Sequence, residues 1–400
     1  MITTLSQTPN SMRLHIAVFG RRNNGKSSII NAISGQNTAL VSSVAGTTTD
    51  PVYKPMEIYP LGPCVLIDTA GFDDVGELGE MRIQKTKEVT ERTDIALIVF
   101  SPSQKEFDLE LEWYNILKLR NIPVIGVINK IDKDNTASEA LIKKHFNIKI
   151  IKVSALTGEG IDNIRNALIE AAPADYELST ITGHLCGEGD SVLLVMPQDI
   201  QAPKGRLILP QVQVIRDLLD LKAVVTSVTT DKLIQALAML KEPPKLIITD
   251  SQVFSYVYEH TPRESMLTSF SVLMARYKGD IDVYKEGAEQ IDNLKDTDKV
   301  LIAEACTHKP LDGDIARVKI PNMLRKKIGQ SLQIDIVSGN DFPKNIKDYS
   351  LIIHCGGCMF NRKYVLSRIA ICKEYGVPIT NYGIAIAKMT GILDKIRTNK

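Results

Sequence analysis

The segment Gly20-Arg21-Arg22-Asn23-Asn24-Gly25-Lys26-Ser27 carries the spacing G-x-x-x-x-G-K-[ST]. It lies between an apolar run, Leu14–Phe19, and a helical pattern, the context that a phosphate-binding loop needs. Gly20 and Gly25 let backbone N–H groups come close to phosphate oxygens. Lys26 brings positive charge to the β- and γ-phosphates, the helix N-terminus adds its dipole, and Ser27 offers a hydroxyl to magnesium. Asn24 and Ser28 fall in the same nucleotide-contacting stretch. Asp68-Thr69-Ala70-Gly71 follows a second apolar run. There the carboxylate can hold magnesium through water and the Gly71 N–H can sense a γ-phosphate.

Asn129-Lys130-Ile131-Asp132 comes after a further run. Asp132 can accept hydrogen bonds from the N1 and N2 donors of guanine, a pattern adenine cannot supply, so ATP would leave a buried carboxylate unpaired. Ser154-Ala155-Leu156 then closes over the base, with the Ala155 N–H directed to guanine O6. Each segment alone could be an ordinary turn, but the four in this order imply a magnesium-dependent GTP-hydrolysing site with Lys26, Ser27, Asp68 and Gly71 at its catalytic end. Phe72 stands where many GTPases carry the Gln that orients the attacking water, and its side chain cannot do that work.

A second constellation lies far along the chain. Cys306-Thr307-His308 and His354-Cys355-Gly356-Gly357-Cys358 each follow an apolar run, Val300–Ala305 and Leu351–His354. If those runs are parallel strands, Cys306, Cys355 and Cys358 converge at the carboxyl edge of one sheet, where open α/β sheets place ligands. Two glycines inside the CxxC let the backbone wrap closely around an inorganic centre. Three thiolates with nearby histidines suit zinc or an iron–sulfur cluster, and spacing does not separate the two. Cys64 and Cys372 read as core residues, and Cys186 as an unpartnered residue of a linker.

The elements that must carry these groups follow from periodicity. Runs at Leu14–Phe19, Val65–Asp68, Ile95–Phe100, Val124–Asn129 and Ile150–Ser154 alternate with helical patterns, as in a mostly parallel sheet covered on both faces. This first unit is expected to end at about residue 175, where the helix Asp162–Ala171 runs into Pro173 and a polar, glycine-bearing linker, Ser179–Gly189. A second unit, 186–262, has three short strands and sparse chemistry, which suits an association module. A third, 264–400, has strands at Val300–Ala305, Leu332–Val337 and Leu351–His354. The expected fold class is therefore α/β, a P-loop GTPase sheet followed by two smaller Rossmann-like α/β domains.

Lys and Arg number 48 against 47 Asp and Glu, for a net charge of +1, so the total carries no large electrostatic footprint for nucleic acid, and no nucleic-acid partner is expected. No stretch approaches a membrane span and no basic-then-apolar leader opens the chain, so a cytoplasmic protein is expected, without membrane partners. Six cysteines in 400 residues, two of them as a CxxC, suit metal ligands more than a disulfide framework.

Gly46-Thr47-Thr48-Thr49-Asp50 resembles the switch segment of the GTPases related to Era and MnmE, with Thr49 where that class usually carries Arg. The resemblance implies Thr48 as a second magnesium ligand and Asn23 as a potassium ligand beside the phosphates, standing in for an arginine finger. Slow, potassium-stimulated turnover is then expected. The whole chain, an Era-like GTPase followed by C-x-H and H-C-x-x-C, resembles the HydF family of FeFe-hydrogenase maturation GTPases. That resemblance implies a dimerisation domain in the middle and a 4Fe-4S cluster on Cys306, Cys355 and Cys358, with His308 and His354 either on the iron or tuning it from nearby. It also implies a homodimer that takes a diiron precursor from two radical-SAM maturases and delivers it to the hydrogenase apoprotein. The alternatives are a ribosome- or tRNA-associated GTPase with a structural zinc, and a scaffold whose nucleotide is purely structural.

Overall fold

A computed structural model describes residues 8–35, 51–73, 77–133, 139–173, 180–197, 207–305, 315–343 and 345–396. Thr48, Cys306 and His308 lie outside the described residues. The first unit, Met1–Leu178, is built on six strands: β1 (Leu14–Gly20), β2 (Val52–Ile58), β3 (Gly62–Asp68), β4 (Ile95–Phe100), β5 (Val124–Ile128) and β6 (Lys149–Lys152). Their order is β2-β3-β1-β4-β5-β6, with β2 antiparallel to β3 and the rest parallel.

The period of two in β1 explains why its run is continuously apolar. Leu14, Ile16 and Val18 meet Ile29, Ile30 and Ile33 of the helix Lys26–Ser34 and Ile164 and Leu168 of the helix Ile161–Ala171. Ala17 and Phe19 point the other way, into a core with Trp113 and Leu117 of the helix Asp108–Leu119. Both faces are covered, so both need apolar side chains. The strand that periodicity missed, β2, alternates exposed and half-buried residues and contains Pro55, which an edge strand tolerates.

The second unit, Ser179–Lys400, holds two parallel four-stranded sheets. One consists of β7 (Ser191–Val195), β8 (Val224–Val228), β9 (Leu246–Thr249) and β10 (Met266–Ser269), in the order β10-β9-β7-β8. The other consists of β11 (Lys299–Glu304), β12 (Gln333–Ser338), β13 (Leu351–His354) and β14 (Ile379–Asn381), in the order β12-β11-β13-β14. The fold class is α/β, a P-loop sheet followed by further layers with parallel strands, as expected.

Three details correct the sequence reading. A boundary at 262–264 would cut before β10, which pairs with β9 in register from Met266 to Ser269 and therefore belongs to the second sheet. The expected linker Ser179–Gly189 is in part structural: Ile181, Leu185 and Cys186 are buried in one core with Leu194 and Val214, and Asp217 accepts from the Ile181 and Thr182 N–H groups. Cys186 is thus a core residue whose thiol faces the Thr182 carbonyl. Finally, the two smaller sheets share one hydrophobic core, in which Leu193 and Ile247 join Val300, Ile302 and Ile353. Three sheets therefore make two units, because neither small sheet covers its own apolar face alone.

Candidate functional site

The nucleotide site is assembled at the carboxyl ends of β1, β3 and β5 and just beyond β6. Gly25, with φ +91°, ends the loop and starts the helix at Lys26. A side chain there would meet Asn129 Nδ2 at 2.3 Å, so only glycine lets the loop lie against the segment after β5. Gly71 is similarly confined, since a Cβ would stand 2.4 Å from Arg22 Cγ.

Asn129 is the hinge pin of the site. Its Nδ2 donates to the Asn24 carbonyl at 2.9 Å, and its Oδ1 accepts from the Ala155 N–H at 3.0 Å, so one buried side chain ties the phosphate loop to the base loop. Asn24, which the sequence reading placed against the nucleotide, sends its own Nδ2 to the Val99 carbonyl at 2.8 Å and anchors the loop on β4. Lys130 Nζ donates to the Asn23 carbonyl, and Ser154 Oγ donates to Asp132 Oδ1 at 2.6 Å, which orients that carboxylate. Asn23 itself is exposed, in the left-handed conformation with φ 61°.

Lys26 Nζ is folded onto the Gly20 and Arg21 carbonyls at 2.9 and 3.0 Å. Ser27 Oγ donates to Asp68 Oδ2 at 2.5 Å. Burial raises the Asp68 carboxyl above its ordinary range, while the Ser27 hydrogen bond and the charge of Lys26 pull it back down. A paired hydroxyl and carboxylate beside an ammonium, at a loop where a Cβ cannot fit, is a donor set suited to a magnesium–triphosphate. Phe72 is buried, stacked on Trp113 with ring centres 5.0 Å apart, and makes no approach to a water-orienting role.

Sequence reasoning passed over two tethers. Arg21 makes a fork of hydrogen bonds to the fully buried Glu110, at 2.8 and 3.1 Å, and Asp73 Oδ1 accepts from the Arg22 N–H at 2.7 Å. An isolated Glu in a helix and an Asp just after the Asp68–Gly71 segment carry no spacing signal, so only the tertiary contacts identify them.

The second site sits at the carboxyl end of β13, next to that of β11. The Cys355 N–H donates to the Ala303 carbonyl, and Cys355 Sγ accepts from the Ala305 N–H at 2.9 Å and from the Gly357 N–H at 3.4 Å. Gly357 has φ +60°, and a Cβ on Gly356 would meet nothing, so the loop is open at one glycine and left-handed at the next. Burial, and then the neighbouring Cys358, push the Cys355 thiol up to about 11. N–H groups trained on a sulfur favour its thiolate, which is the form that binds metal. Two thiols and these donors fit a thiolate-bound metal centre.

The structure gives His354 a different task from the iron ligation left open for it. Its Nδ1 donates to the Cys355 carbonyl at 2.6 Å, and its Nε2 accepts from Arg368 Nη1 at 2.9 Å. Because a carbonyl can only accept and a guanidinium can only donate, the ring is the neutral Nδ1–H tautomer with both nitrogens committed. Burial and the Arg368 charge hold it down at about 3. Two further residues at this loop, Lys278 and Arg368, had no sequence signal. Lys278 Nζ donates to the carbonyls of Gly357, Cys358 and Phe360 at 3.0, 3.2 and 2.8 Å.

Comparison with known proteins matches three family models. Residues 15–130 match a 50S ribosome-binding GTPase, 181–279 a hydrogen maturase F dimerization domain, and 282–398 a hydrogen maturase F tetramerization domain. The junction of the last two falls just after the helix Phe270–Lys278, in keeping with the place of β10 in the second sheet. Among curated proteins, the tRNA modification GTPase MnmE of Endomicrobium trichonymphae is 34% identical over 166 residues, 40% of this chain and 35% of that protein. GTPase Der of Campylobacter concisus is 35% identical over 172 residues, 40% of this chain and 37% of that protein. The chain thus spans about a third of the length of these relatives. Among solved structures, Aquifex aeolicus Era aligns at 21% identity over 54% of this chain and 92% of its own, with a TM-score of 0.37.

Proposed function

The chain belongs to the hydrogen maturase F family, HydF, and from that membership we propose that it is a GTP-hydrolysing scaffold that assembles the diiron subcluster precursor and delivers it to an FeFe-hydrogenase apoprotein. The observation that carries the proposal is the presence in one chain of a P-loop site and a donor-lined CxxC loop beside the carboxyl end of β11. The Ala305 N–H donates to Cys355 Sγ and so puts the end of β11 against the CxxC loop.

In the nucleotide half, the loop N–H groups and Lys26 bind the β- and γ-phosphates, Asp132 reads guanine, Asn129 keeps the two loops in register, and the Ala155 N–H, now given to Asn129 Oδ1, would be shared with guanine O6 when the base binds. Ser27, Asp68 and Thr48 would hold magnesium, which supplies charge neutralisation at the phosphates. No water-orienting side chain stands at Phe72, so turnover is slow, and Asn23 accepts potassium in place of an arginine finger. In the other half, Cys306, Cys355 and Cys358 would hold a 4Fe-4S cluster with one iron left for an exchangeable ligand, which gives a diiron precursor a reversible point of attachment. The protein works in the cytoplasm as a homodimer, receives the precursor through two radical-SAM maturases, and uses GTP hydrolysis as a switch on partner release. Among the described residues, no helix is long and apolar enough to cross a membrane.

The test is an absorption and low-temperature paramagnetic resonance spectrum of the anaerobically reconstituted full chain beside a Cys355→Ala variant. A broad band near ~400 nm from thiolate-bound iron, with a reducible paramagnetic signal absent from the variant, is expected. Colourless protein with stoichiometric zinc would overturn the scaffold reading in favour of an RNA-linked GTPase with a structural metal.

A further inference from the structure

Two cations are buried at the CxxC loop. Lys278, 1% exposed, spends all three ammonium donors on the carbonyls of Gly357, Cys358 and Phe360. Arg368, 2% exposed, donates to His354, to the Gly339 carbonyl and to the Tyr364 hydroxyl, and lies over the rings of Phe342, Phe360 and Tyr364 at 4.8 Å each. Its Nε–H is buried and has no partner among the described residues. Neither side chain has an Asp or Glu at ion-pair distance among those residues, whereas surface lysines of the same unit do, as in Lys299 with Asp335 and Lys327 with Asp292.

A buried cation that meets only neutral acceptors bears a large desolvation penalty. Evenly distributed apolar packing would have been served by Met or Leu at either position. Two such charges flanking two thiols therefore mark a place where negative charge is to be received. Resting on the cluster reading above, we propose that Lys278 is the positioning residue of the cluster loop, and that it and Arg368 form a fixed pair of positive charges built for a polyanionic metal–thiolate centre. Lys278 holds the main chain from Gly357 to Phe360, and so fixes the path between Cys355 and the helix at Arg362 before any metal is present. It comes from the last helix of the dimerization-domain match, so this clamp also joins that domain to the cluster loop. Fixed positive charge stabilises the more negative, reduced form of a cluster and raises its potential.

The test uses the reconstituted full chain as wild type and as Lys278→Met, Lys278→Gln and Lys278→Arg, with Cys355→Ala as the control without cluster. Iron and sulfide per chain, the midpoint of a resonance-monitored reductive titration, and far-ultraviolet circular dichroism are measured. At a given potential, the Met and Gln variants should show at least a tenfold lower ratio of reduced to oxidised cluster, a shift of about 59 mV for one electron. The Arg variant should stay near wild type. Loss of iron from the Met variant with retention in the Arg variant supports the positioning role equally. An unchanged midpoint at full iron content overturns the inference, as does loss of fold or of iron in all three variants, which would make Lys278 a plain structural clamp. If the wild type itself takes up no iron and sulfide, the cluster reading fails first and this inference goes with it.

Discussion

Replacing Asn129 with Ala removes a buried side chain that bonds both the phosphate loop and the loop after β6. The Asn24 carbonyl loses its donor in a buried setting, at a cost of about 1–3 kcal/mol. The Ala155 N–H loses its acceptor at a half-buried position, where water can partly replace it, at about 0.5–1.5 kcal/mol. Together these give about 1.5–4.5 kcal/mol. If nucleotide binding must restore both loops against that cost, affinity falls by about 10- to 2000-fold. Asn129→Asp should be at least as damaging, because the acceptor on Ala155 survives while a carboxylate is forced against the Asn24 carbonyl. Titration with a fluorescent guanine nucleotide in magnesium and potassium buffer, beside a thermal melt of the same sample, reads both quantities. A dissociation constant within about threefold of wild type, with an unchanged melt, would refute the claim that Asn129 joins the loops.

Gly25→Ala should weaken nucleotide binding by about tenfold or more, since the added carbon would stand 2.3 Å from Asn129 Nδ2 in a backbone conformation that disfavours side chains; the same titration reads it. GTP hydrolysis followed by chromatography should be faster in potassium chloride than in equal sodium chloride, with the difference lost in Asn23→Ala, and equal rates in the two salts would remove potassium from the mechanism. His184 is held down at about 4 by burial and then by Arg276, against an ordinary value of 6.5. The unfolded chain therefore takes up its proton first, so His184 contributes stability above about pH 6.5 that is lost as pH falls through about 4. Thermal melts of the full chain should show this decline, and His184→Gln should flatten it.

Much of the nucleotide site was legible because its chemistry is local. A phosphate-binding loop needs glycines, a lysine and a hydroxyl within eight positions, and the strand before it and helix after it each announce themselves by their own period. Gly20–Ser27, Asp68–Gly71, Asn129–Asp132 and Ser154–Ala155 therefore fall together at one sheet edge, where β1, β3 and β5 end. The strands that periodicity missed were an edge strand with a proline, β2, and two short ones, β10 and β14, whose burial comes from neighbours outside their own sequence.

The order of motifs, a phosphate-loop pattern early in the chain and a CxxC pattern late in it, was legible in the sequence alone, since type and spacing suffice wherever a backbone loop supplies the geometry. Tertiary structure decided what depends on residues distant in the chain. It moved the domain boundary to the far side of β10, and it drew residues 181–186 out of a linker and into a core. It committed both nitrogens of His354, and it brought Lys278 and Arg368 to the cysteine loop. The physical reason is the same in each case: burial, hydrogen-bond partners and counter-charges are properties of a place in the fold, and a lone lysine or histidine carries no mark of its place until the chain has closed around it.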